Sequence, residues 1–291
     1  MIRAAHAAGP ILRAHSELRR VAIRRQLQAV AAGKSTSVPS DAVESRYGAA
    51  RTVEEITAGL REDNLSVQLL QVAFKNSHVA DGVIERLQGK SIHERVGAAR
   101  LVAALRIYEA TPWLVPLLAA KDPSVAEASA RALGRIGGAA SATALLHAIR
   151  RRGLNRRLIA ELARGAPDFF LESALADPPR PALRPALAIA AGLRRRRTAI
   201  TPLLALLQRG SRKERVITCR ALGWIGATTA VPVIEAALDD RDWKIRMSAA
   251  KALGALGAGS SRPGLERLYA DPNPKVRRAA HQAVRRLTHG A

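Results

Sequence analysis

Aromatic residues are scarce in this chain, 3% of its 291 positions, and there is one cysteine, Cys219. A lone cysteine excludes an internal disulfide framework. Its place among helix-forming residues, with no base or orienting group implied nearby, reads as a buried structural thiol rather than a nucleophile. Few aromatics leave little with which to stack the bases of a single strand. No apolar run approaches the ~18 residues of a membrane span, and the opening MIRAAHAAGPILRAH lacks a continuous signal core; a cytoplasmic protein is expected. Motifs that carry chemistry are missing as well. There is no HExxH, CxxC, GxSxG or P-loop, each of which fixes metal ligands, a nucleophile or phosphate-binding amides at a set spacing. The histidines, His6, His15, His78, His93, His147, His281 and His289, are spread without ligand spacing. The sequence asks for no cofactor and no metal, and no enzymatic activity is expected.

Acidic residues are in short supply relative to basic ones. Against 24 Asp+Glu stand 47 Lys+Arg, for a net charge of +23, and the basic residues are 39 Arg and 8 Lys. Such an excess attracts nucleic acid, anionic lipid or an acidic protein surface. Arginine with alanine is also what a GC-rich genome encodes, so the excess has a compositional reading too. The charge is uneven: residues 1–40 are net +6, residues 41–147 neutral, residues 148–220 net +12 and the remainder net +5.

What the chain does have is alanine, leucine and a repeat. The segments DPSVAEASARALGRIG from Asp122, SRKERVITCRALGWIG from Ser211, DWKIRMSAAKALGALG from Asp242 and NPKVRRAAHQAVRRLT from Asn273 share one pattern. A marker column of Leu101, Ala132, Ala163, Ala190, Ala221, Ala252 and Ala283 is spaced by 31, 31, 27, 31, 31 and 31 residues. Arg95, Ala126, Arg157, Arg184, Arg215, Arg246 and Arg277 repeat the same spacings. Within one unit, Val231, Ile234 and Leu238 recur at helical spacing, then Ile245, Ala249, Ala252, Leu253 and Leu256 do so again. Asp239 to Asp242 form the turn between the two helices, and Gly254 and Gly257 mark the end of the second.

Each helix is too short to bury its apolar stripe alone, so neighbouring pairs must stack. The expected fold is an all-α, right-handed α-solenoid of antiparallel helix pairs, about eight of them, with a period of about 31 residues. Residues 1–40 read as a separate basic amphipathic helix followed by the polar linker GKSTSVPSD, and residues 41–291 as the array, with 41–62 opening it as a cap. LSVQLLQVAFKNSHVADGVIERLQG supplies a further degenerate pair.

The pattern DxxxVRxxAAxALGxLG resembles the bacterial short HEAT repeats of the type first associated with phycobilin lyases, over roughly residues 63–288 and most strongly from 211 onward. The resemblance implies a binding scaffold rather than a particular chemistry. It also implies that an aspartate opens the second helix and that the arginine four positions later ties adjacent repeats together. Asp242 with Arg246 fits this, and Asn273 with Arg277 is a neutral variant. Arg95, Arg157, Arg184 and Arg215 lack the acid at that place, so they are expected to hydrogen-bond carbonyls at helix ends.

The same resemblance brings in two enzymatic relatives. Phycobilin lyases use similar repeats, but so basic a chain with few aromatics offers no evident tetrapyrrole pocket. Alkylpurine DNA glycosylases use HEAT-like repeats with tryptophans and an aspartate in a basic groove, for which Trp224, Asp242 and Trp243 would be the counterparts. Asp242, however, falls on the structural turn column, and Trp243 opens a helix as a packing residue or as a face for a guanidinium.

A second basic column carries the functional expectation. Lys213, Lys244 and Lys275 stand 31 apart at the starts of second helices, with Arg220 and Lys251 seven residues further along the first two. Seven residues is two helical turns, so each pair shares a face, opposite the apolar positions. With Arg278 nearby, and Arg100 and Arg131 continuing the column in earlier repeats, this stripe is expected to line the concave side and receive an acidic partner. A solvated helix face is the plainer alternative. Arg194, Arg195, Arg196 and Arg197 fall in the loop leaving one repeat, whereas Arg150, Arg151 and Arg152 fall at the turn inside a repeat, on the opposite edge. Clusters on opposite edges cannot share one narrow track on DNA.

The expectation is therefore a non-catalytic protein-interaction scaffold. A nucleic-acid-binding protein that contacts backbone phosphates is the alternative. Residues 11–30, where Arg19, Arg20, Arg24 and Arg25 lie beside Leu18, Val21, Leu27 and Val30, offer a docking helix for a partner or for an anionic membrane surface.

Overall fold

The computed structural model describes residues 2–43, 48–61, 63–178 and 180–289. Every regular element among them is helical. The chain forms two compact units, Met1–Ile136 and Gly137–Ala291.

In the first unit the helices are α1 (Ile2–Ala31), α2 (Ala49–Thr57), α3 (Leu65–Asn76), α4 (Val79–Leu87), α5 (Ile92–Leu105), α6 (Thr111–Leu117) and α7 (Pro123–Ile136). The pairs α4/α5 and α6/α7 are antiparallel hairpins, and α5 lies along α7. The long first helix does not stand apart from the array. It packs on α2 and α3, burying Ile23, Leu27 and Val30 to 1% exposure or less. Arg19 donates to Asp41 Oδ1 at 2.7 Å, and Arg24 pairs with Glu55. The expected boundary near residue 40 is thus crossed by both apolar and ionic contacts. Leu18 and Val21 remain exposed, so half of the apolar face proposed for a membrane or partner is already covered by the chain itself.

The second unit comprises α8 (Gly138–Arg152), α9 (Arg156–Gly165), α10 (Asp168–Ala176), α11 (Arg184–Leu193), α12 (Ile200–Arg209), α13 (Arg212–Ile225), α14 (Val231–Ala236), α15 (Trp243–Leu256), α16 (Arg262–Arg267) and α17 (Pro274–His289). Successive helices pair as α8/α9, α10/α11, α12/α13, α14/α15 and α16/α17. The second helices α9, α11, α13, α15 and α17 stack on one another in one layer, and α10, α12 and α14 form the other. The odd spacing of 27 has a local cause. The connection after α9 is Ala166 and Pro167 alone, whereas those after α11, α13 and α15 run through 194–199, 226–230 and 257–261 and each holds a 3-10 turn.

Helix boundaries follow from side-chain chemistry. Asn155 and Asp242 cap α9 and α15 by accepting backbone N–H groups of the first turn. Glu214 accepts from both the backbone N–H and the hydroxyl of Ser211 at 2.7 Å, fixing the start of α13. Pro232 and Pro263 sit in the first turns of α14 and α16, where no amide partner is lost. Gly226 (φ 77°) and Gly257 (φ 65°) end α13 and α15 in the left-handed region, and Arg195 (φ 51°) holds the equivalent place after α11.

The glycine of the LG pair has a different role from the one expected. Gly254 lies inside α15, not at its end. A Cβ there would come within 2.7 Å of Ala283 Cα, so the missing side chain is what lets α15 and α17 approach. Gly192 stands in the same relation to Ala221, and Gly223, more loosely, to Ala252. The marker alanines are therefore contact points between successive second helices.

Candidate partner-binding groove

The arginine column is structural, but its acidic partner is not the expected one. Arg246 forms a two-bond pair with Asp271 (Nε to Oδ2 2.7 Å, Nη2 to Oδ1 3.0 Å) and donates to the carbonyl of Asp240 at 2.8 Å. Asp271 belongs to the next repeat. Arg215 does the same one repeat earlier, with Asp240 Oδ2 at 2.5 Å and the carbonyl of Leu207 at 2.8 Å. Arg277 donates to the carbonyls of Asp271 and Pro272. The Arg246 guanidinium holds the Asp271 carboxyl below the usual carboxylate range, chiefly through that hydrogen bond. Asp242, beyond capping α15, pairs with Arg212. These carboxylates are thus committed to the turn edge of the stack, where they join one repeat to the next.

The exposed face of the second helices is different in character. Across α9, α11 and α13 lies a cavity of about 420 Å³ whose apolar lining is Leu154, Ile159, Ile189, Leu193, Ile217 and Trp224. Arg156 and Arg220 flank it. Trp224 and Arg220 also border a second, larger groove of about 590 Å³ across α13, α15 and α17, which includes Lys251 and Arg286. Among the described residues, every charged one lining either is a cation.

Trp224 is held from behind and open in front. A Cβ on Gly192 would lie 2.8 Å from Trp224 Cε3, so the indole leans into space that only glycine leaves. The Arg220 guanidinium carbon sits 5.1 Å from the ring centre, within cation–π range. Trp224 is nonetheless 37% exposed, beside Leu154 at 38% and Leu193 at 49%. That is an unusual cluster of large apolar groups facing solvent.

Lys213, Arg220, Lys244, Lys251, Lys275 and Arg278 all lie on second helices of the second unit and are exposed, but only Arg220 and Lys251 line the groove. Lys244 and Lys275 instead flank the ring of Trp243, with Nζ at 5.5 and 5.3 Å from its centre. Trp243, expected as a packing residue or a face for a guanidinium, is met by two ammonium groups. Arg100 on α5 and Arg131 on α7 are exposed in the first unit.

The basic clusters also differ from expectation. Arg150, Arg151 and Arg152 are the last turn of α8, where cations complement the helix dipole. The turn itself is Gly153 to Asn155. Arg194, Arg195 and Arg197 do lie at the loop after α11, yet Arg196 pairs with Asp168 and reaches the Ala166 carbonyl at 3.5 Å, tying that loop to the preceding repeat. Cys219 is fully buried, and burial pushes its thiol up to about 12.

A model of the HEAT repeats family matches residues 80–163 and 200–285. The chain belongs to the HEAT repeat family. Among solved structures it is similar to human deoxyhypusine hydroxylase in complex with glycerol, at 22% identity and a TM-score of 0.39, covering 97% of this chain and 100% of that one. It is also similar to two engineered proteins. One is 16% identical with a TM-score of 0.38, covering 94% of this chain and 85% of the other; the second is 18% identical with a TM-score of 0.29, covering 92% and 97%. No curated protein matches the chain. Among the described residues no helix is long and apolar enough to cross a membrane, and no group of three or more His, Cys, Asp or Glu could hold a metal ion. Each HEAT repeat adds one second helix to the groove, so the residue at a given position of the repeat decides the chemistry of one strip of it.

Proposed function

We propose that this HEAT-repeat chain is a non-catalytic scaffold that holds an acidic partner protein on the second-helix face of its second unit. The observation that supports this most is the segregation of charge. Carboxylates of these repeats, Asp240, Asp242 and Asp271, are engaged at the turn edge, while the groove presents Arg156, Arg220, Lys251 and Arg286 around an apolar lining. Exposed aromatic and arginine side chains around an apolar centre are the usual anchors of protein interfaces. A cytoplasmic setting agrees with a single buried thiol that has no disulfide partner within the chain.

Binding to nucleic acid through backbone phosphates is the competing reading, and it predicts a different dependence on salt and sequence. Affinity capture from the native organism, with and without nuclease, separates the two. The scaffold reading expects a protein partner that survives nuclease and is lost with the double variant Arg220→Glu, Lys251→Glu. Recovery only of nuclease-sensitive material, with affinity falling steeply with salt and indifferent to base sequence, would replace it.

A further inference from the structure

We infer that the cavity beside Trp224 is an anchor pocket for a linear acidic segment of the partner, taking one bulky apolar side chain while carboxylates on both sides of that residue pair with the flanking arginines. The inference deepens the scaffold reading and depends on it. Three features of the groove lead to it.

The first is the division of labour between the two depressions. The smaller is lined by Leu154, Ile159, Ile189, Leu193, Ile217 and Trp224, and its volume of about 420 Å³ lies within the usual range of ligand pockets. The larger is lined chiefly by small apolar groups, Ala252, Ala255, Ala279 and Ala283, and carries Lys251 and Arg286. They meet at Trp224 and Arg220, which border both. A chain whose side group filled the first would continue directly over the second.

The second is charge complementarity. Arg156 lies on the α9 side of the pocket and Arg220 on the α13 side, so acids both before and after the anchor have a cation to meet. Charged hydrogen bonds of this kind discriminate against a basic or neutral segment. The third is preorganisation. Gly192 behind the indole and the Arg220 guanidinium 5.1 Å from it hold Trp224 as a ready wall, so little side-chain freedom remains to be lost on binding.

The test uses the full chain and a short fluorescein-labelled peptide of glutamates with one central phenylalanine, followed by fluorescence anisotropy. A second peptide replaces the phenylalanine with alanine. The inference expects saturable binding of the first peptide and about tenfold or greater weakening for the second. Ala160→Trp, which fills the cavity from the exposed face of α9 without changing charge, should weaken the first peptide about tenfold and leave the second unaffected. Arg220→Glu should weaken both, whereas Arg241→Glu, the same change of charge in a turn outside the groove, should weaken neither.

Equal binding of the two peptides would overturn the anchor pocket while leaving an acidic partner in place. Binding of neither, with helicity intact by circular dichroism, would overturn it too, and the capture experiment then decides the scaffold reading by itself. Displacement by duplex DNA but not by unlabelled peptide would assign the face to nucleic acid. Self-association of the chain in sedimentation, with no peptide binding, would assign it to a second copy.

Discussion

Replacing Gly254 with alanine sets two effects of opposite sign against each other. In an exposed helix the change stabilises by about 1 kcal/mol, because alanine has the better helix propensity. Here the new methyl would sit 2.7 Å from Ala283 Cα and 2.8 Å from its Cβ, where carbon atoms prefer about 3.5–4.0 Å. Its nearest neighbour is backbone of the adjacent helix, so no flexible side chain can yield and α15 and α17 must move apart. Overpacking of this kind costs about 1–3 kcal/mol. Gly254→Ala should therefore lower stability by a net of up to ~2 kcal/mol. Gly223→Ala is the internal control, since its nearest contacts, Ala252 Cα at 3.3 Å and Cβ at 3.5 Å, need only a few tenths of an ångström. It should be neutral or stabilising by up to about 1 kcal/mol. Urea unfolding followed by far-ultraviolet circular dichroism reads both. A Gly254→Ala protein as stable as the Gly223→Ala protein would refute the account of close helix contact at the marker column.

Other outcomes follow from the same geometry. Asp271→Asn should destabilise the chain by about 2 kcal/mol at neutral pH, because Arg246 is left half-buried without its partner. The Asp271 carboxyl is held below its ordinary value, so its contribution is full above the unfolded value of about 3.9 and is lost as pH falls through the folded one. The gap between wild type and Asp271→Asn should accordingly close on acidification below that range, and unfolding midpoints across pH check it. Cys219, buried and with its thiol pushed up to about 12, should react with an aromatic disulfide reagent only at the rate of unfolding; fast labelling of the native chain at neutral pH contradicts its burial. Arg195→Gly should stabilise by about 0.5–1 kcal/mol, because φ of 51° suits glycine better than a residue with a Cβ; a lower unfolding midpoint contradicts this.

The repeat was legible because stacking demands the same small residue wherever two second helices touch. That is why Ala221, Ala252 and Ala283 stand 31 apart. Of the four arginines expected at helix-end carbonyls, Arg215 reaches the Leu207 carbonyl while also pairing with Asp240, whereas Arg184 lies 3.7 Å from Glu214 of the next repeat. The identity of the acid was not legible. Along the sequence Asp242 is the near neighbour of Arg246, yet the partner is Asp271, because stacking brings the next turn of the array against it. Asp240 and Asp271 are themselves 31 apart, so that signal was present.

The groove was half legible. The charged columns mark Arg220 and Lys251 but not the column Leu193, Trp224, Ala255 and Arg286, each 31 after the last. All four line one or other depression. A strip that changes from leucine and tryptophan to arginine along the stack is invisible to a search for one residue type, although its spacing could have revealed it. The role of Gly192 behind Trp224 leaves no mark in the sequence, since contact across helices depends on their approach and not on sequence distance.

The most direct test of the central claim is fluorine NMR of the chain labelled with 5-fluorotryptophan, titrated with the acidic peptide that carries a central phenylalanine. Trp113, Trp224 and Trp243 give separate resonances assigned by single replacement with phenylalanine. The account expects the Trp224 resonance to shift saturably while that of Trp113, in the other unit, stays still. A titration that moves Trp113, or leaves Trp224 unmoved at saturation, would contradict it.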